Sequence, residues 1–353
     1  MPRVGSAKRS RAQASLAADD LERACAVIRN ADAPRPEAWA ALVGDKKLIF
    51  SPSGRSFIAV GLAGSDWIAL GAPVGVRAER PALIATAQAA ARAAGARLSF
   101  YGVGPDFADD ARSAGLVLRK TGERALVDLA AFSLDGKSRQ VLRTHRNRHI
   151  KLGASVRVEP PGSAAALFEA LRPISDYWLA RHGGIEKGFG LGRFERAYLN
   201  QLPLALVVIA DRIVAFASLW PTADRSRVCV DLMRYTKDAP NGVMDYLFAD
   251  LMLWAKAEGY RQFDLNTAPL AGVTFDPSAP LATAAARLIY ERGEALYNFQ
   301  GVRRFKAKFD PAWEDVFLAL RPGASMVGVM GRAASLTTGG LRRLAARRIA
   351  AAV

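Results

Sequence analysis

Residues Val228 to Asn266 read VCVDLMRYTKDAPNGVMDYLFADLMLWAKAEGYRQFDLN. An apolar run rich in strand formers ends in polar residues, with Asp231 and Arg234 among them. A Pro240-Asn241-Gly242 turn opens an amphipathic helix to about Glu258, and the strand RQFDL follows Gly259. Strand, helix and strand in this order belong to a mixed α/β sheet with helices on its faces. Asp231 and Arg234 stand three apart, so a regular strand would turn them to opposite sides. A β-bulge between them would put both on one face, and bulges recur beside active sites. A structural Asp–Arg pair or a solvated strand end accounts for the spacing equally well. Free N–H groups at the helix start, around Asn241 and Gly242, favour a phosphate or carboxylate.

Outward from this stretch the same order recurs. Ahead of it stand VRVEPPG, a helix through Leu167 to Arg181, and the strands LALVVIA and IVAFASLW. Behind it come a helix over Leu281 to Arg292 and the strands RRFKAKF and DVFLAL. The first half has a similar layout. Helical periodicity begins near Leu21, and the strands KLIF, SFIAVGL and WIALGAPVG are divided by Ser-Pro-Ser-Gly and Gly-Ser-Asp turns. An alanine-rich helix covers Glu79 to Ala94, a strand is expected at RLSFYGV, and a short helix covers Pro105 to Ala114. More strand follows at LVLRKTGERALVDL, and Ser133 is expected to cap a helix running to Leu152. Two successive mixed α/β units suggest a structural duplication, without a clear sequence repeat. The predicted divisions are a flexible basic tail over 1–15, a first unit over 16–153, a second over 154–322, and a basic tail over 323–353 with a helix from Leu341.

The 353 residues carry 49 Lys and Arg against 33 Asp and Glu, a formal charge of +16, and 51% are apolar. Such a chain can bury real cores, and its charge favours polyanions, either nucleic acid or anionic lipid. Cys25 and Cys229, in different units, make neither a disulfide framework nor a metal set, which points to a reducing compartment. His145 and His149 share a helix face among arginines and read as a solvated basic face; no metal site is expected. The longest apolar stretch, Phe57 to Val76, is broken by Gly64-Ser65-Asp66 and reads as a hairpin. No transmembrane helix is expected, and no apolar leader follows the basic start.

Three more stretches carry candidate chemistry. HGGIEKGFGLGRF, His182 to Phe194, is too irregular for a dinucleotide fingerprint. With Glu186, Lys187 and Arg193 it suits a mobile loop over a substrate, or a plain connection. FDLNTAPLAGV leaves the sheet at a position that lines ligand crevices in α/β proteins, or is an ordinary strand exit. ERGEALYNFQGVRRFKAKF gathers acidic and basic residues around aromatics. Its end reads as a strand with Phe305 and Phe309 turned into a core and Lys306 and Lys308 turned to one side. An anion would relieve the repulsion between the two ammonium groups; a lysine-guarded edge strand reads as well.

Taken together, DLMRY, PNGVMDYLF, FDLNTAPLAGV and YNFQGVRRFKAKFDPAWE resemble the cytosolic domain of the aminoacyl-phosphatidylglycerol synthases, the lysyl- and alanyl-phosphatidylglycerol synthases also called multiple peptide resistance factors. GDKKLIFS, GRSFIAVG, WIALGAPVG, FYGVGP and GERALVDLAAFSLDG carry the likeness through the first half, and EKGFGLGRF matches the family's loop, so it spans about Leu21 to Leu320. The resemblance implies an α/β fold of two tandem acyltransferase domains of the N-acetyltransferase (GNAT) type. It implies transfer of an aminoacyl group from aminoacyl-tRNA to the glycerol hydroxyl of phosphatidylglycerol, on the cytoplasmic side of the bacterial inner membrane, with resistance to antimicrobial peptides as the outcome. Many members carry an N-terminal membrane flippase domain that this sequence does not show, so an excised catalytic part or a shorter relative is expected. KDAPNGV stands where a Gln/Arg-x-x-Gly-x-Gly/Ala pyrophosphate loop would precede the Gly242 helix, so no acetyl-CoA and no other cofactor is expected.

On this resemblance Asp231 would hold the substrate ammonium or accept the glycerol proton. Arg234 would orient it or hold a phosphate or the oxyanion, and Glu294 would be a second carboxylate. Lys306 with Lys308 would contact a lipid phosphate or the tRNA end. Glu186, Lys187, Phe189, Asn241, Gly242, Asn266, Tyr297, Asn298, Arg303 and Arg304 complete the expected substrate site. Arg139, Arg143, Arg146, Arg148 and Lys151 on one basic helix, with Arg343 and Arg347 near the C-terminus, would attract tRNA and anionic lipid. A tRNA-dependent transferase acting on another lipid or a peptidoglycan precursor, and a non-catalytic RNA- or membrane-binding module, are the alternatives.

Overall fold

The computed structural model describes residues 18–269, 271 and 299–339. Twelve strands form one sheet: β1 (Lys47–Phe50), β2 (Ser56–Ala63), β3 (Asp66–Leu70), β4 (Val74–Gly75), β5 (Arg97–Val103), β6 (Val117–Asp128), β7 (Ser155–Glu159), β8 (Leu204–Ile209), β9 (Arg212–Pro221), β10 (Arg227–Tyr235), β11 (Gln262–Pro269) and β12 (Ala312–Leu320). The helices are α1 (Ala18–Arg29), α2 (Arg80–Ala93), α3 (Ala108–Ser113), α4 (Gln140–Lys151), α5 (Ala164–Arg181), α6 (Arg196–Leu199), α7 (Val243–Ala257), α8 (Phe299–Ala307) and α9 (Met326–Thr338).

The sheet runs β1-β2-β3-β5-β12-β6-β11-β10-β9-β8-β7, with β4 paired to β2. One continuous sheet holds strands from both halves of the sequence, and β6 bridges β11 and β12 by pairing antiparallel with both. The late strand β12 inserts between β5 and β6 of the first half, a long-range pairing that local sequence does not announce. β10 and β11, joined by α7, pair in parallel, as the strand–helix–strand order of Val228 to Asn266 predicts. Alternation along the central strands fills both faces. Phe216, Trp220 and Cys229 pack with α1, α5 and a 3-10 segment over Pro36–Val43 on one side. Val214, Val228, Val230 and Phe263 pack under α7 on the other.

The segment around Lys306 is helical, not extended. Phe305 of α8 and Phe309, in the turn that closes it, both reach Phe248 of α7, at ring distances of 5.4 and 5.7 Å. A four-residue interval fits periods of 2 and 3.6 alike, and the strand reading took the wrong one. The segment read as a tail from 323 also begins with structure. Val329 and Ala333 of α9 are buried against Ile68, Leu318 and Leu320. A predicted helix from Leu341, with Arg343 and Arg347, lies outside the described residues, as does the one over 281–292. Among the described residues no helix is long and apolar enough to cross a membrane.

Candidate active site

β10 carries the expected bulge. Val230 pairs with Leu219 and Met233 with Ala217, so Asp231 and Leu232 together oppose Ser218. The irregularity turns Asp231 toward α6 and the 182–195 loop. Its Oδ1 accepts the Gly192 N–H at 2.8 Å; its Oδ2 accepts the Tyr198 hydroxyl at 2.8 Å and the Ser218 hydroxyl at 3.1 Å. Tyr198 is fixed in turn by the Trp220 indole N–H at 2.7 Å, and Ser218 Oγ accepts the Leu232 N–H at 3.1 Å. Burial raises the Asp231 carboxyl to about 6 against the pull of these donors. A carboxylic acid poised near neutrality and held by three fixed donors suits proton transfer or capture of a cation.

Arg234, also turned by the bulge, is 2% exposed. Its guanidinium donates to Ser175 Oγ of α5 and, at 2.8 Å, to Glu186 Oε2 of the loop. It lies 5.3 Å from the Trp178 ring centroid and 5.7 Å from that of Phe194. One loop therefore touches both residues, Asp231 through Gly192 and Arg234 through Glu186. The first half holds that loop. Phe189 is buried at φ 58°, its N–H donating to Asp45 Oδ2 at 2.7 Å and its carbonyl accepting the buried Lys46 ammonium at 2.7 Å. Asp45 also accepts from Arg193, and the Gly188 N–H reaches the Thr337 carbonyl of α9 at 2.9 Å. Of the two expectations for this loop, a mobile cover or a plain connection, these contacts favour a fixed connection anchored between the halves.

Gly192 has no room for a side chain, since a Cβ there would overlap Asp231 Oδ2 and lie 2.6 Å from the Tyr198 hydroxyl. Gly192→Ala should lower stability by roughly 1–3 kcal/mol and reduce turnover at least tenfold. Thermal melts beside initial rates check this, and unchanged rates would detach the loop from the chemistry.

β10 and β11 pair only from Arg227↔Gln262 to Cys229↔Asp264, although both strands continue. β11 has its own irregularity between Asp264 and Thr267, with Asn266 at φ 67°. The Asn266 side chain donates to the Val230 carbonyl at 3.0 Å across this break. Lys306 of α8 is 6% exposed, and its ammonium donates at 2.8 Å to the carbonyls of both Asn266 and Thr267. Burial depresses it to about 8, partly offset by Asp264. Asp264 is buried 3.6 Å from Arg124, and Arg124 lies 3.0 Å from Glu37 of the first half. Burial raises the Asp264 carboxyl despite Arg124. A chain of buried charge thus runs from Lys306 across the sheet into the other half.

The two lysines part company. Lys308 pairs with Asp245 of α7 at 2.9 Å, and Asp245 also meets His145 Nδ1 at 2.8 Å. The His145 ring covers the start of α7, 2.6 Å from where a Gly242 Cβ would stand, so this helix start is filled by a side chain rather than held open for an anion. His149 is fully buried and stacks on Tyr246 at 4.9 Å, contrary to a solvated face. Arg139 donates to the Lys308 and Phe309 carbonyls, Arg143 to those of Leu134 and Gly136, and Arg146 to Asp250. Much of the basic helix therefore fastens α4 in place, while Arg148 and Lys151 are exposed. Arg303 pairs with Glu123 at 3.1 Å and lies over Trp313; Arg304 and Asn241 are exposed, and the Lys187 carbonyl accepts from Arg193. Glu294, Tyr297 and Asn298 lie outside the described residues.

Sequence reading assigned no role to Tyr198, Ser218, Asp45, Lys46, Glu37, Arg124 or Asp264. The available signal was polar residues inside strand patterns, as Asp264 between Phe263 and Leu265. Among the described residues, no group of three or more His, Cys, Asp or Glu could hold a metal ion.

A mixed α/β domain built on one sheet, with Asp231 and Arg234 at the bulge of β10 and Lys306 buried against the irregular part of β11, is the class this fold and site define. Residues 26–320 match the family model described as phosphatidylglycerol lysyltransferase, C-terminal, and the chain belongs to that family. The phosphatidylglycerol lysyltransferase of Bacillus subtilis is 36% identical over 285 residues, which are 80% of this chain and 33% of that protein. The chain thus spans about a third of the length of the curated relatives it matches. A crystallographic C-terminal domain from Agrobacterium fabrum is 38% identical with a TM-score of 0.81, covering 92% of this chain and 99% of that one. The structure of L-PGS from Bacillus licheniformis is 32% identical, also at 0.81, covering 90% and 96%.

Proposed function

We propose that this chain moves an aminoacyl group from aminoacyl-tRNA to the glycerol hydroxyl of phosphatidylglycerol, working at the cytoplasmic side of the bacterial inner membrane and lowering the negative charge that antimicrobial peptides seek. The observation that carries it is the Asp231 carboxylate, held by Gly192, Tyr198 and Ser218 beside the break between β10 and β11. Family membership and the likeness to phosphatidylglycerol lysyltransferases supply the substrates. The two halves, 16–153 and 154–322, act as tandem acyltransferase units of the N-acetyltransferase type between basic flanks, the second doing the chemistry and the first bracing it through Asp45, Lys46 and Arg124.

Exchanging one ester for another with an alcohol is nearly balanced in energy, so the work lies in alignment, one proton and one oxyanion. Asp231 takes the proton of the attacking hydroxyl or holds the aminoacyl ammonium, with Glu294 as a second carboxylate. Arg234, packed against Trp178 and paired with Glu186, fixes the loop that frames the substrate. Lys306 stabilises negative oxygen at the break. The excess of positive charge draws both polyanionic partners to the surface.

The test is direct. Protein is incubated with phosphatidylglycerol vesicles, charged total tRNA, and labelled lysine, alanine or arginine in turn. Label is expected in the lipid fraction and should vanish when tRNA is destroyed by ribonuclease. Charged tRNA that leaves phosphatidylglycerol unlabelled would overturn the reading. Label moving instead to another lipid or a peptidoglycan precursor would change the acceptor.

A further inference from the structure

β10 and β11 run toward the end of the sheet where β5 and β6 begin and β12 finishes. At that end of the first half, Arg92 near the close of α2, Arg97 at the start of β5, and Arg321 just past β12 surround one cavity of about 290 Å³. Gln88 forms part of its wall, fixed by its amide donating to the Ala114 carbonyl at 2.9 Å. Arg92 and Arg321 are exposed and form no ion pair among the described residues. Arg97 stands 3.9 Å from Asp66, but that carboxylate also serves Arg332 at 2.7 Å. Of the three guanidiniums only Arg97 stands near an acid among the described residues, and it shares that acid with Arg332. A helix C-terminus explains one cation by its dipole, not three around a hollow.

We infer that this cavity is a subsite for backbone phosphate of the RNA substrate, bound by Arg92, Arg97 and Arg321 at a distance from the reaction centre. It rests on the proposed tRNA donor. Guanidinium forks match phosphate oxygens in pairs, and a concave cluster holds a discrete diester. A membrane surface would call for exposed apolar side chains beside the charges. Among the described residues the exposed large apolar side chains are Leu62, Val141, Ile150, Leu152 and Met233, and none of them lines this cavity. The spacing also suits a nucleic-acid strand. Leu320 pairs with Val117, and Thr267 with Arg124, so seven residues of β6 separate the cavity's level from that of the Lys306 contacts. At about 3.3 Å per residue this is roughly 23 Å, or about seven nucleotides of stacked strand at 3.4 Å each. A 3′ end lying at Lys306 would place upstream phosphates at the arginines.

The experiment compares wild type with an R92Q/R97Q/R321Q variant and with R92Q alone, which removes no ion pair seen in the structure. Fluorescence anisotropy with tRNA is recorded across a salt series, alongside vesicle sedimentation with phosphatidylglycerol and transfer from a short aminoacylated CCA oligonucleotide. The triple variant should bind tRNA about tenfold or more weakly at low salt, with the log–log salt slope reduced by about 2–3, and R92Q by about 1. Vesicle binding and transfer from the short oligonucleotide should not change. Wild-type tRNA binding that the triple variant retains with the same slope overturns this inference alone. Loss of vesicle binding with tRNA binding intact overturns it in favour of lipid. A wild type that binds no tRNA overturns it together with the functional proposal.

Discussion

Asp231→Asn is expected to cut kcat/KM for lipid aminoacylation by roughly 10²–10⁴, the range for loss of a positioned acid–base group, without unfolding the domain. Asn can still accept the Gly192 N–H, and the Ser218 hydroxyl can rotate to accept from the new amide. The pH dependence separates this from a packing defect. Asp231 binds its proton more tightly in the folded chain, at about 6 against an ordinary 3.8. Its contribution to stability is therefore full below pH 4 and is lost as pH rises through 6, a swing of about 3 kcal/mol at most. The melting temperature of D231N relative to wild type should rise from pH 4 to pH 7. Wild-type kcat/KM should climb as pH passes about 6, where the carboxylate forms. Unchanged transfer in D231N would remove this residue from the mechanism.

Lys306→Met should cost about 10²–10³ in kcat, the effect of removing one donor to a developing oxyanion, with a smaller change in KM. The same residue sets the other limb of the profile. Its ammonium is depressed to about 8 from 10.5. A base with a lowered folded pKa disfavours folding while charged, so its cost is present below pH 8 and fades as pH rises from 8 to 10.5. Activity that needs the ammonium should fall above pH 8. Together with Asp231 this predicts a bell between about 6 and 8, and residual K306M activity should lack the alkaline limb. An alkaline limb that persists in K306M would assign it to another group.

Part of the local geometry around the candidate site was legible before the fold. Asp231 and Arg234 could be paired because a three-residue interval in a strand needs a bulge to make one site, and Ser218 opposite two residues is that bulge. Lys306 was singled out, but for a geometry that does not exist: it sits on a helix, and its fellow Lys308 turns to Asp245. The arginines of α4 were read by charge alone, whereas Arg139, Arg143 and Arg146 spend their donors on carbonyls and Asp250. Composition reports charge; it does not report which charges are already satisfied within the fold.

The sequence by itself determined most of the local order of strands and helices, the strand–helix–strand unit around α7, the excess of cations and the placing of Asp231 and Arg234 on one strand. These depend on periodicity and turn chemistry, which neighbouring residues settle among themselves. Only the tertiary structure decided that β12 returns between β5 and β6, that Phe189 is clamped by Asp45 and Lys46, and that Glu37 and Arg124 extend a buried ionic chain toward Lys306. Those pairings join residues from 87 to 219 positions apart. Their partners are chosen by which faces must be buried together, and no local pattern records that choice.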